Sequence, residues 1–158
     1  MKHTKRVNFL KGLLNIIGGF ILLFLMLSIL NCIVFFHDKG AKNTILSIIF
    51  SLIFFGGYFM TIFTLRKILN SILEKNPFIP ENIICLRKIG YYILSIGLID
   101  AIVNYPKLNN IGFNILLTSH GSLKPIIFLY ISLSLLAFIL ADVFKMAIDI
   151  KEENDLTI

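Results

Sequence analysis

One ionisable side chain, Asp100, falls well inside a long apolar run of this chain. A carboxylate costs free energy to keep charged in hydrocarbon. Such a residue is by default a proton- or cation-linked group, unless it lies close enough to an interface to be solvated. At about 1.5 Å of rise per residue, counted from Ile89, Asp100 stands roughly 17 Å along its helix, past the bilayer midplane. Water, Asn104 and Lys107 are then within reach. The solvated reading is the plainer one. The sharper one makes Asp100 the coupling residue of a small transporter or ion-coupled membrane component.

The other candidates carry less chemistry. Asp142 and Lys145 are three apart on one helix face and are expected to pair at the membrane interface, where such a pair contributes about 0.2–0.5 kcal/mol. Arg87 and Lys88 serve plainly as topology determinants and lipid anchors, and more sharply as a dock for an acidic protein surface. His37, with Asp38 beside it, and His120 lie on separate loops. A metal needs more ligands than that, fixed in geometry, so no metal site is expected and no cofactor is implied. Cys32 ends the first apolar run and Cys85 lies in the second polar connection. Both are expected to act as small apolar residues on opposite sides of the membrane, unable to pair. No His-Cys cluster, Ser/His/Asp set or phosphate-binding glycine loop occurs. The expectation is a protein that is not an enzyme.

The elements that position these residues follow from composition. Of 158 residues, 57% are hydrophobic and 15% charged, whereas soluble domains carry about 25% charged residues. With a mean hydropathy of +0.87, lipid is the solvent that suits this surface. Four runs approach the roughly 20 apolar residues a spanning helix needs: Leu13 to Phe36, Thr44 to Leu65, Ile89 to Tyr105 and Pro125 to Phe144. Backbone groups in lipid must bond internally, so these runs are helices. The first is far too long for the apolar core of a signal peptide.

Lysine and arginine set the orientation. With the N-terminus inside, Lys2, Lys5, Arg6 and Lys11 precede the first span, and Arg66, Lys67, Lys75, Arg87 and Lys88 fall in the middle connection (66–88). Lys145 and Lys151 lie in the tail (145–158), so eleven of the fifteen are inside and four outside. The expected fold is an all-α, four-transmembrane-helix bundle in the cell membrane, N-in and C-in, forming a single domain with cytoplasmic extensions of helices 2, 3 and 4. The net charge of +6 matches an anionic inner leaflet. Direct nucleic-acid binding is not expected, because cation clusters interleaved with stacking aromatics are absent.

Small residues let lipid-embedded helices approach. Gly18-Gly19, Gly56-Gly57, Gly97 with Ala101, and Ala137 with Ala141 supply them, for packing within the bundle or for a homo-oligomer contact. Ile68, Leu69, Ile72 and Leu73 form an apolar stripe after the second span, as in a helix lying near the headgroups. Asn76-Pro77 is expected to end that helix, and Pro80-Glu81 to open the next before it enters the membrane. The fourth helix continues an apolar face through Val143, Phe144, Ala147 and Ile148 into an acidic tail. The second outer connection (106–124) is long, and Phe113, Ile115, Leu116 and Leu117 suit an interfacial cover over the bundle, or a sensing loop.

Asn76-Pro77-Phe78, Glu81-Asn82 and Leu86-Arg87-Lys88-Ile89-Gly90, with Leu140-Ala141-Asp142-Val143-Phe144-Lys145 and Glu152 to Ile158, resemble the YoaS-like family of bacterial four-span membrane proteins. The resemblance covers essentially the whole chain. It departs at Asp142, where glutamate is more usual, at Ala147, where glycine is, and at Asp100. It implies no established activity, but a membrane partner for a small cytoplasmic helix-turn-helix regulator encoded nearby, which is evidence by association. On that basis a cytoplasmic partner-binding surface is expected at Asn76, Pro77, Phe78, Arg87 and Lys88 with the tail Asp155, Leu156, Thr157 and Ile158. Phe78 is its apolar anchor and the charged residues its rim.

Overall fold

The computed structural model describes residues 2–34, 36–105, 116–118 and 121–156. The apolar runs form four helices: α1 (Lys2–Val34), α2 (Phe36–Leu73), α3 (Pro80–Asn104) and α4 (Ile126–Leu156). All four are long and apolar enough to cross a membrane, and the chain is a multi-pass membrane protein. A kink at Gly40, with φ 74° and ψ 156°, divides a short first segment of α2 from the long helix that follows. Only glycine takes that backbone conformation without steric cost. From Ala41 to Leu73 the helix is 33 residues long, about 50 Å, against roughly 30 Å of hydrocarbon. It is therefore longer than a span alone requires.

The helices stand in sequence order, α1 on α2, α2 on α3 and α3 on α4. The arrangement is a folded row, and α1 packs extensively against α2 alone. Short connections make chain neighbours into spatial neighbours. Lipid is as apolar as the helix faces themselves, so no hydrophobic force drives the row to close. Hence Phe9, Ile16, Phe20, Phe24 and Met26 of α1 remain outward-facing.

Helix α3 carries the most continuous buried stripe. Asn82, Cys85, Leu86, Ile89, Gly90, Ile96 and Gly97 are buried, at the three- and four-residue spacing that keeps side chains on one face. The core gathers at the end where α2 finishes and α3 begins: Ile68, Cys85, Leu86, Ile89, Ala137 and Ala141, with Leu65, Ile72 and Phe144 packed against them. The stripe after the second span belongs to α2, which continues through it to Leu73, and Ile68 and Ile72 pack against α3 and α4. The reason is the early start of α3 at Pro80, which gives that stripe a protein partner.

Glycines set the closest approaches. A Cβ on Gly57 would lie 2.8 Å from Ile96, one on Gly90 2.6 Å from the Phe138 ring, and one on Gly97 2.5 Å from Cβ of Tyr130. Tyr130 thereby crosses α3 where it has no side chain, and its hydroxyl lies 3.1 Å from that of Tyr58 on α2. Gly19 and Gly56, expected to serve the same purpose, have nothing within 4 Å of such a Cβ. Between α1 and α2 the hydroxyls of Ser28 and Ser51 bond at 2.8 Å.

The connection between α3 and α4 contains an unexpected feature. Strands β1 (Leu116–Thr118) and β2 (Gly121–Leu123) pair antiparallel, with Thr118 opposite Gly121. The Ser122 amide donates to the Tyr105 carbonyl at 2.8 Å, tying the hairpin to the end of α3. Leu116 and Leu117 thus belong to a strand; Phe113 and Ile115 lie outside the described residues.

Candidate functional site

The corner between α2 and α3 is built by its backbone. The Asn76 amide donates to the Ser71 carbonyl and the Lys75 amide to the Ile72 carbonyl, the paired bonds that close a helix through a left-handed residue. That residue is Lys75, at φ 60°. Helix α2 therefore ends at Leu73, and the Asn76-Pro77 pair follows the stop. On the far side Ile79 is the N-cap, Pro80 opens α3 and Glu81 lies in the first turn, as its sequence leads one to expect.

One side chain locks the corner. Asn82 is 2% exposed. Its amide nitrogen donates to Ser71 Oγ and to the Pro77 carbonyl, each at 2.6 Å, while Ser71 donates to the Ile68 carbonyl. The sequence reading gave Asn82 no role; its signals were its place in the Glu81-Asn82 motif and a polar side chain on the face of α3 that is buried. Ser134 was also missed, and its buried hydroxyl bonds the Gly90 carbonyl across α3 and α4 at 2.9 Å.

The expected docking residues fall partly on this corner. Phe78 is 44% exposed, and its ring lies 5.3 Å from that of Phe144 on α4, so half of the anchor already packs on its own chain. Asn76 and Lys88 are exposed and Pro77 is half-buried. Arg87 pairs with Asp142 at 3.2 Å. Asp142 was expected to pair with Lys145 on its own helix; the close packing of α3 on α4 brings the guanidinium to it instead. Both partners are more than half exposed, so the pair contributes about 0–1 kcal/mol. A cavity of about 330 Å³ lies beside these residues, with Lys67, Asn70, Glu74, Asn82 and Lys88 in its walls. The side chains of Asp155 and Leu156, and Thr157 and Ile158 entirely, lie outside the described residues.

Asp100 stands one turn before the end of α3, where it accepts a 2.8 Å hydrogen bond from the Asn104 amide. It is half-buried and lines a groove of about 220 Å³ with Phe50, Ser51, Phe54 and Phe55 of α2. Lys107, His120 and the side chains of His37 and Asp38 lie outside the described residues. Cys32 and Cys85 are buried and free, and Cys85 belongs to the packed core of α3 rather than to a polar connection. Among the described residues no group of three or more His, Cys, Asp or Glu could hold a metal.

Residues 12–158 match the model of the family described as "Protein of unknown function (DUF2975)". No curated protein and no solved structure matches the chain. With nearly its whole length matched, the chain belongs to that uncharacterised family.

Proposed function

We propose that this member of the family is a non-enzymatic regulatory protein of the cell membrane. Its two ends and its α2–α3 corner lie in the cytoplasm, and the corner docks a cytoplasmic regulator of the helix-turn-helix kind. The observation that carries this reading is the contrast between corner and membrane span. The best-packed core and the Asn82–Ser71–Pro77 lock lie at the corner, whereas α1 is buried at few positions. A rigid platform suits recognition, because ordering costs are then small on binding. The platform presents a partly exposed aromatic, Phe78, beside the cations Arg87 and Lys88, a combination suited to an acidic, partly apolar partner surface. The lysine and arginine distribution supports the orientation.

The test is cross-linking and recovery from gently solubilised membranes with the double variant Arg87→Glu, Lys88→Glu. Both side chains are exposed, and because Arg87→Glu also removes the pair with Asp142, insertion and folding of the variant are measured alongside recovery. A DNA-binding regulator should be recovered with the parent protein. With the variant its recovery, normalised to folded protein, should fall severalfold. An unchanged ratio removes the reading.

A second reading is favoured by the Asp100 groove: an ion-coupled membrane component, with Asp100 as the coupling group. Asp100→Asn should then abolish transport in reconstituted vesicles while leaving insertion intact.

A further inference from the structure

The groove between α2 and α3 has two chemically different walls. Helix α2 contributes Phe50, Phe54 and Phe55 with Ser51; helix α3 contributes Ile99, Asp100, Val103 and Asn104. Two of the lining rings touch, Phe54 meeting Phe55 edge-on at 5.5 Å, and Phe54 also meets Tyr58, outside the lining, at 5.2 Å. Opposite them Asp100 accepts one hydrogen bond, from Asn104 to Oδ1. A carboxylate has about four lone-pair positions, so this contact does not exhaust it.

We propose that this groove binds a small lipophilic organic cation, an aryl-alkylammonium, with Asp100 as counter-ion and the Phe50–Phe54 wall as its aromatic bed. The lining selects among ligand classes. An anion would face the carboxylate. A hard metal cation takes six or more oxygens in the case of calcium, and among the described residues Asp100, Asn104 and Ser51 supply the only side-chain oxygens in the lining. A neutral hydrocarbon would fill the volume but gain nothing from the carboxylate. A quaternary ammonium carrying an aryl group satisfies both walls at once: the ring faces attract its charge, and the carboxylate neutralises it with no need of a hydrogen bond. Among the described residues Lys124 shares a separate gap of about 10 Å³ with Asp100, Ser122 and Ile127, and no cationic side chain belongs to the lining of the groove. No residue of α1 or α4 belongs to the described lining of the groove, so a membrane-soluble cation can approach it from lipid. The site is independent of the corner proposed to dock a partner, and of ion coupling, since a bound organic cation requires no transport cycle.

The test uses the full chain in phosphatidylcholine nanodiscs, with benzyltrimethylammonium as probe and neopentylbenzene, its neutral isostere, as competitor. Binding by equilibrium dialysis, corrected with empty nanodiscs, should saturate at one probe per chain. Asp100→Asn should weaken it at least about tenfold, Asp100→Glu much less, and Phe54→Leu about two- to fivefold through the lost ring face. The neutral isostere should not compete at equal concentration. Val103→Phe, which keeps the charge but fills the groove, should abolish binding and covers the case in which Asp100→Asn fails to insert. Absence of saturable binding to the parent chain overturns the proposal. So does equal binding by folded Asp100→Asn or by Val103→Phe, and equal competition by the neutral compound would reduce the groove to a plain apolar slot.

Discussion

Replacing Gly97 with alanine should destabilise the packing of α3 on α4, although alanine is intrinsically the better helix former. The new Cβ would lie 2.5 Å from Cβ of Tyr130 and 2.8 Å from its Cγ, about 1 Å short of ordinary contact. A ring can swing away by rotation about its side-chain bonds, but Cβ is fixed to the backbone, so α4 itself must retreat. Overpacking of this kind costs about 1–3 kcal/mol. The same retreat would stretch the 3.1 Å contact between the Tyr58 and Tyr130 hydroxyls, which in a membrane protein is worth about 0.6 kcal/mol. Against this stands a gain of about 0.5–1 kcal/mol from removing a helical glycine. The net expectation is a loss of about 1–2 kcal/mol. Gly19→Ala is the matched control, because nothing lies within 4 Å of its added methyl and only the propensity gain remains. Buried Cys85 supplies the readout, since it belongs to the core that α3 and α4 share. In a Cys32→Ser background, its labelling by a thiol-reactive dye in detergent should accelerate about 5–30-fold in Gly97→Ala. If Gly97→Ala labels no faster than Gly19→Ala, the reasoning about this crossing is wrong.

Asn82→Ala removes both bonds of the corner lock and should cost about 1–3 kcal/mol by stranding buried polar groups. Hydrogen exchange should show early loss of protection in residues 71–85. Lys75→Gly should instead stabilise the corner by up to about 1 kcal/mol, because φ 60° suits glycine and strains lysine; detergent melting would show it as a raised midpoint. Arg87→Ala and Asp142→Ala should each change stability by less than about 1 kcal/mol, measurable by the same melt. For orientation, with native cysteines replaced, Lys39→Cys or Lys107→Cys should react with an impermeant thiol reagent applied outside intact cells. Lys75→Cys and Lys151→Cys should not, and the reverse pattern would overturn the proposed topology.

Four helices and the nature of their solvent were legible in the sequence, because hydrophobic run length and the demand for internal backbone bonding act on each segment alone. The start of α3 was equally plain, since Pro80 and Glu81 state a helix N-terminus in their own chemistry. The end of α2 was less so: the stop is made by Lys75 in a conformation that favours glycine, a choice stabilised by the lock from Asn82 and invisible in residue type. Gly97 and Ala137 were recognisable as packing residues, yet Gly56 and Gly57 looked alike and only Gly57 meets a side chain of α3. Spacing along one helix tells which residues share a face; it does not say which neighbour covers that face. The same limit explains Asp142, paired by its sequence neighbourhood with Lys145 and by the fold with Arg87, 55 residues away. It also explains why the Asp100 groove went unseen, since its aromatic wall comes from α2 and its carboxylate from α3. Local physics determined the helices; the sharing of side chains between helices, which depends on packing angles that no single segment encodes, decided the row, the corner and the groove.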